Sequence, residues 1–230
     1  MELSLVIPCY NEEKNLPLLI SRCAPLSEIE NIEVLFVNNG SSDGSSQVFS
    51  DLLAPYSNFH CISIDINEGY GNGILVGLSH AKGRVLSWTH ADMQCDPLDV
   101  MIGYKYFEGR DDNIFVKGLR YGRPAADVFF SFCMSIFETI LLRTKLWDIN
   151  AQPTMFSRSL FESLNHPPTD FSLDLFVYYQ AKFTNATVYK FPVHFGERAF
   201  GSSSWNMDWR SKLKFINRTI KFSLKLRKRI

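Results

Sequence analysis

The chain has 230 residues, enough to bury a sizeable core as one domain. Its 46% hydrophobic and 21% charged residues exclude a disordered or low-complexity chain, and a formal net charge of zero argues against a general nucleic-acid-binding surface. Five scattered cysteines without a C-x-x-C pair argue against a disulfide framework or structural zinc, and read as reduced thiols of a cytosolic protein. The apolar run before Pro8 is too short for a signal peptide, and no stretch of 18 uninterrupted apolar residues predicts a transmembrane helix.

Along the first half, short β-rich runs alternate with helical patterns. Strands are expected at 3–7 ("LSLVI"), 32–37 ("IEVLFV"), 60–66 ("HCISIDI") and 84–88 ("RVLSW"). Helices follow each: one beginning at "NEEKNL" with Asn11 as its N-cap, one through Leu53, one through Ala81, and one from about Pro97. Asp43 is the expected cap of the second helix and Asp96 of the fourth. Strand–helix alternation predicts a parallel sheet with helices on both faces. The second half is less regular. "NIFVKGLRYG" gives a strand and a basic loop, "ADVFFSFCMSIFETILL" a long apolar helix, and "DINAQPTMFSR" a turn and short strand. "DFSLDLFVYYQAKF" reads as a helix, and "ATVYKFPVHF" as a strand pair near Pro192.

Ligands of such sheets bind at the carboxyl ends of the strands. That rule places Tyr10 and Glu12, Asn38, Asn39 and Asp43, Asn67 and Glu68, and His90, Asp92 and Gln94 along one edge. The glycines of "GYGNG" lack the G-x-G-x-x-G spacing of a dinucleotide site; close backbone approach or tight helix–strand packing explains them.

Four stretches, "LVIPCYNEEKNL", "NNGSSDGS", "NEGYGNGILVGLSHAKG" and "HADMQCDP", come in the order and spacing of the family 2 glycosyltransferases, and the chain resembles that family from about residue 3 to 97. "VKGLRYG" and "RAFGSSSW" resemble later motifs of the subset acting on polyprenyl phosphates, the dolichyl-phosphate mannose synthase type. The resemblance implies an α/β chain of the GT-A, Rossmann-like fold with a mostly parallel central sheet. Residues 1–205 would be the catalytic domain and 206–230 a basic amphipathic helix.

The resemblance further implies nucleotide contacts from Pro8, Tyr10, Glu12, Asn39, Asn67, Gly69, Ala91 and Asp92. Asn38 and Asn39 stand where two aspartates are common, so a UDP or GDP donor is expected while cytosine stays open. His90, Asp92 and Gln94 take the positions of the metal ligands. An imidazole suits manganese, whereas magnesium prefers oxygen donors, so Mn2+ is favoured over Mg2+. Arg198 matches the Arg that reaches the donor diphosphate, with Ser204 where Lys is usual. Arg120 matches the basic position that holds an acceptor phosphate, and Lys117 and Arg123 can assist it. A phosphate acceptor needs little help from a base, whereas a hydroxyl acceptor requires one; Asp174 is the carboxylate for that role and Asp148 a second. Asp92, Arg198, Arg120 and Asp174 make up the expected catalytic set.

In the tail, Trp209, Leu213, Ile216, Ile220 and Leu224 recur every three or four residues among Arg210, Lys212, Lys214, Arg218, Lys221, Lys225, Arg227, Lys228 and Arg229. An amphipathic helix with a basic face suits an anionic membrane surface; the plainer alternative docks its apolar stripe on the catalytic domain. The expected protein is a metal-dependent inverting glycosyltransferase on the cytoplasmic membrane face. It would move a sugar from a nucleotide-sugar donor to a polyprenyl-phosphate or other lipid-linked acceptor. A saccharide hydroxyl as acceptor, an inactive nucleotide-binding module and a homo-oligomer stay open. No nucleic-acid partner is expected.

Overall fold

The structure, a computed structural model, describes residues 1–110, 113–201 and 209–228, the side chains of 209–215 excepted. Its centre is a sheet in which period-2 alternation sends successive apolar side chains to opposite faces. In β1 (Leu3–Cys9), Leu3, Leu5 and Ile7 enter one core and Val6 the other. In β2 (Ile32–Asn39), Ile32, Val34 and Phe36 oppose Leu35 and Val37 in the same way. Burial on both faces explains why these strands read as continuous apolar runs.

β3 (Phe59–Ile64), β4 (Val85–Trp88), β5 (Ile114–Tyr121), β6 (Thr154–Ser157) and β7 (Thr187–His194) complete a seven-stranded sheet of order β3-β2-β1-β4-β6-β5-β7. Only β6 runs against its neighbours; β1 is parallel to β2 and β4, β2 to β3, and β5 to β7. The expected mostly parallel sheet is therefore present. The expected strand pair near Pro192 is instead the single edge strand β7, where a residue without an N–H is tolerated.

Helices α1 (Leu16–Cys23), α2 (Ser45–Leu52) and α4 (Asp99–Tyr104) cover one face through Leu16, Leu19, Phe49 and Val100. On the other lie α3 (Tyr70–His80) and α7 (Leu173–Phe183), through Ile74, Leu78, Leu173 and Val177. Gly77 brings α3 onto the sheet: a Cβ there would lie 2.4 Å from Val6 Cγ1 and 2.9 Å from Val37 Cγ2. α5 (Ala125–Leu142), α6 (Arg158–Glu162) and α8 (Trp209–Arg227) finish the chain.

The expected caps differ in detail. α1 starts at Leu16, not Asn11: Asn11 adopts φ 55°, and its Oδ1 accepts from Ser42 N at 2.8 Å, which ties the loop after β1 to the loop after β2. Asp96 accepts from Leu98 N at 3.0 Å in the turn entering α4, whose N-cap is Leu98, and its carboxylate also pairs with Arg22. Asp43 likewise accepts from Ser45 N at 3.0 Å in the turn entering α2, whose N-cap is Gly44.

α5 is long and apolar enough to cross a membrane by length and composition. The uninterrupted-run test missed it because Asp127, Glu138 and two serines interrupt it. In the fold it packs against α8, whose Leu226 joins the second core and whose Ser223 Oγ donates to Glu138 at 2.8 Å. Along this stretch α8 docks through Phe222, Ser223 and Leu226, whereas Leu224 of the expected apolar stripe is exposed. The expectations on Ser204 and Arg229 lie outside the described residues.

Candidate active site

β2 lies on one side of β1 and β4 on the other, so the strand order reverses beside β1. A crevice opens at the carboxyl ends of strands at such a reversal. Here it is a cavity of about 840 Å3. Pro8, Tyr10 and Glu12 after β1, Asn39 ending β2, Asn67 and Gly69 after β3, and His90, Ala91, Asp92 and Gln94 after β4 all line it. Chain reversals here use left-handed backbone at Asn11 (φ 55°) and Met93 (φ 60°), strain that a surrounding structure must hold in place. Gly69 (φ 120°) comes so close to the neighbouring loop that a Cβ would lie 2.5 Å from Thr169 O.

The two asparagines differ in environment. Asn38 is consumed by its own turn, donating to Ser46 Oγ at 2.8 Å and accepting from Ser41 N at 3.3 Å. Asn39 donates through Nδ2 to Gly69 O at 3.0 Å, while its Oδ1 has no hydrogen-bond partner among the described residues. An acceptor therefore stands ready at this end of the cavity.

At the centre, Asp92 Oδ2 pairs with Arg198 at 2.8 Å and its Oδ1 accepts from Gln94 N at 3.1 Å. Gln94 Nε2 donates to Gly196 O at 3.1 Å, joining the loop after β4 to the loop after β7 that carries Arg198. His90 stacks on Tyr70 with centroids 5.5 Å apart, and Tyr70 stacks on Phe171 at 4.5 Å. Burial raises the Glu12 pKa, with Asp92 adding to it and the Asn15 hydrogen bond opposing. Among the described residues no three His, Cys, Asp or Glu side chains are gathered as ligands. Still, one carboxylate, one imidazole and one amide share the cavity wall. That donor set fits a hard cation that takes one or two carboxylates and completes its shell with substrate phosphates. Arg198 is the cation beside Asp92.

Toward the other end, Arg120 is held by Asp148: its backbone N and Nε donate to the carboxylate at 2.9 Å each, and a guanidinium NH2 donates as well. Arg123 NH2 lies 3.7 Å from the same carboxylate, and its NH1 donates to Ser131 Oγ at 2.8 Å. Burial pushes Asp148 up, but the Arg120 guanidinium more than offsets this and leaves its pKa lowered. Both arginines line the cavity; Arg123 Nε is buried with no partner among the described residues. Two cations around one carboxylate leave net positive charge, which suits a phosphate.

Lys117 lies apart from the residues lining the cavity: it is fully buried in β5 between β6 and β7 and donates to Thr154 Oγ1 at 2.7 Å. Burial lowers its pKa to about 8, with Asp174 acting the other way. Asp174, readable as a helix-surface residue, is instead buried in the first turn of α7 and lines the cavity. It accepts from Gln152 Nε2 at 2.8 Å and lies 3.9 Å from Lys117 Nζ.

Sequence reasoning missed the inner face of α5. Phe130, Ser131, Met134, Ser135 and Glu138 all line the cavity, a three-and-four spacing hidden because the helix is apolar nearly all round. Phe195, beneath the Arg120 guanidinium at 5.3 Å, and Glu197 were missed as well.

Comparisons with known proteins agree with this architecture. A solved glucosyl-3-phosphoglycerate synthase from Mycobacterium tuberculosis, in complex with Mn2+, UDP and glucosyl-3-phosphoglycerate, superposes with a TM-score of 0.73 at 17% identity, covering 98% of this chain and 79% of that one. A solved mycobacterial protein superposes with a TM-score of 0.75 at 16% identity, covering 98% and 74%. These likenesses establish the GT-A fold. An undecaprenyl-phosphate 4-deoxy-4-formamido-L-arabinose transferase of Enterobacter sp. (strain 638) is 29% identical over 214 residues, 89% of this chain; the chain spans 63% of that relative's length. The family model described as glycosyl transferase family 2 matches residues 4–165, most of the catalytic sheet, and the chain belongs to that family.

Proposed function

We propose that the protein transfers a sugar, with inversion, from a nucleoside-diphosphate donor, UDP or GDP, to the phosphate of a polyprenyl phosphate at the cytoplasmic membrane face. The observation that carries this reading is the pairing of a phosphate-ready cluster, Arg120 and Arg123 around Asp148, with α5 beside it. The inner face of α5 lines the cavity, while Val128, Phe129, Phe132, Ile136 and Ile140 on its outer face are exposed. A charged head with an apolar chain matches that arrangement. Exposed Arg143, Lys145, Lys221, Lys225, Arg227 and Lys228 add positive charge near the C-terminal end of α5, as contact with an anionic leaflet favours. We therefore keep residues 1–205 as the catalytic unit and 206–230 as a basic segment facing that surface. The similarity to an undecaprenyl-phosphate sugar transferase supports the acceptor class.

In this mechanism Tyr10 packs on the base, Glu12 accepts from ribose hydroxyls, and the free Asn39 Oδ1 accepts from a base N–H. Pro8, Asn67, Gly69 and Ala91 shape the surrounding wall. Arg198 moves from Asp92 to the donor diphosphate. Arg120 and Arg123 hold the acceptor phosphate so that its oxygen attacks the anomeric carbon as the bond to the diphosphate breaks. The attacking oxygen is already ionised, so no proton has to leave it. His90, Asp92 and Gln94 would hold a divalent cation, Mn2+ rather than Mg2+, which when bound offsets charge on the leaving diphosphate. The Mn2+ complexes of the structural neighbours support that group. A second reading, a hydroxyl acceptor with Asp174 as base, rests on the position of that carboxylate on the cavity wall.

Calorimetry with UDP, GDP and CDP, each with Mn2+, Mg2+ or chelator, tests the donor half. Tight metal-dependent binding of one nucleotide is expected; no metal-dependent binding to any of them would turn the reading to an inactive module. His90→Asp should move the preference toward Mg2+. Transfer to undecaprenyl phosphate should collapse in Arg120→Gln, whereas transfer to a hydroxyl acceptor should not.

A further inference from the structure

Asp127 and Glu138 are the carboxylates of α5 that line the cavity; Asp127 acts on Arg123, whereas the charge of Glu138 has no cation beside it among the described residues. It is fully buried. One carboxylate oxygen accepts from Ser223 Oγ of α8 at 2.8 Å; the other, Oε2, has no partner among the described residues. A carboxylate buried in an apolar helix with half its capacity unused is costly unless something else uses it. The residue lines the same cavity as Arg120, Arg123 and Asp92. Ser135, one turn before it, accepts from the backbone N of Asp148, so Glu138 follows directly along the helix from the arginine cluster. Ser223 and Arg227 fix α8 to α5, the latter donating to Leu141 O at 2.8 Å.

We infer that Glu138 is a specificity-determining residue: its free oxygen receives a hydrogen bond from a hydroxyl or amine of the bound substrate, and Ser223 braces the carboxyl for it. This rests on the sugar-transfer reading above and deepens it. A polyprenyl phosphate carries no hydrogen-bond donor beyond its phosphate, so the group that meets Glu138 belongs either to the sugar of the donor or to a polar acceptor. Burial pushes the carboxyl up to about 7, with Ser223 acting the other way, and a ligand hydroxyl or amine stabilises its ionised form.

The test uses the full chain with Mn2+ and the variants Glu138→Gln, Glu138→Ala and Ser223→Ala. Gln keeps the size of the side chain and an oxygen for Ser223, but replaces the free oxygen with an NH2 group, so it serves even where Ala fails to fold. Calorimetry first finds which of UDP, GDP and CDP the wild type binds, then measures UDP-glucose, GDP-mannose or CDP-glucose accordingly, and glycerol 3-phosphate as a hydroxyl-bearing phosphate. The expected result is a loss of roughly ten- to a hundredfold in affinity for the sugar conjugate in Glu138→Gln, with the bare nucleotide unchanged and a smaller loss in Ser223→Ala. Loss confined to glycerol 3-phosphate supports the inference with the acceptor as source. Unchanged binding of both probes in folded Glu138→Gln overturns it and leaves Glu138 as a brace between α5 and α8. A wild type that binds none of the nucleotides removes the sugar-transfer reading itself, and the inference with it, a failure visible before any variant is made.

Discussion

Asp148→Asn removes one charge from beneath two arginines while keeping the shape of the side chain. In the wild type, the carboxylate receives the Arg120 backbone N and Nε at 2.9 Å each and a further guanidinium bond, with Arg123 at 3.7 Å. The Arg120 and Asp148 side chains are only 12% and 4% exposed, so solvent screens the pair weakly. Removing one partner of a buried ion pair costs about 3–5 kcal/mol. Asn still accepts from the Arg120 backbone N, which restores about 1 kcal/mol. The expected destabilisation is therefore about 2–4 kcal/mol, measured by urea unfolding at neutral pH. The pH dependence gives an independent check. The folded pKa of Asp148 is depressed, so its contribution is fully present above the unfolded value of about 4 and is lost as pH falls through the folded pKa. Asp148→Asn should flatten that acid limb. A variant within about 0.5 kcal/mol of wild type, with the same acid slope, would refute the view that Asp148 is the anchor of the cluster.

Gly77→Ala should cost about 1–3 kcal/mol and lower the melting temperature, because the new methyl meets Val6 and Val37 in a packed core. A neutral effect would show that α3 can shift. Lys117→Met tests the buried lysine. With a folded pKa of about 8 against about 10.4 unfolded, the unfolded state binds more protons between those values, so wild-type stability should rise with pH across that window. The variant should lose that rise, seen in denaturant melts; an identical profile would contradict the burial of a titrating Lys117.

Much of the half of the cavity at Asn39 was readable because β1, β2 and β4 are buried on both faces and, like the edge strand β3, end in polar turns. The apolar runs gave β1 to β4, and the residues just past them gave Tyr10, Asn39, Asn67 and Asp92. What failed depends on contacts between distant segments. Lys117 follows Val116 in an ordinary strand pattern, and only its pairing with Thr154 on β6 and Lys190 on β7 shows that it is enclosed. Arg120 and Asp148 are 28 residues apart, so the sequence could nominate each without revealing that one holds the other. Asn11 resembles a helix cap, but its left-handed backbone and its bond to Ser42 belong to a bridge between two loops. Glu138 sat in a helix so uniformly apolar that no periodicity marked its inward face.

The direction of β6 has a consequence for how specificity can change. Because that strand is reversed, the segment that leads into it, with Asp148 and Gln152, arrives at the edge from which the parallel strands depart. The end of the cavity at Asn39 is built from connections leaving strands, while the end at Arg120 adds one entering a strand. The two halves of the cavity thus hang from different joints of one frame. Changes in the length or composition of the α5–β6 connection can therefore remodel the Arg120 end of the cavity without disturbing strand order or the loops after β1 to β4.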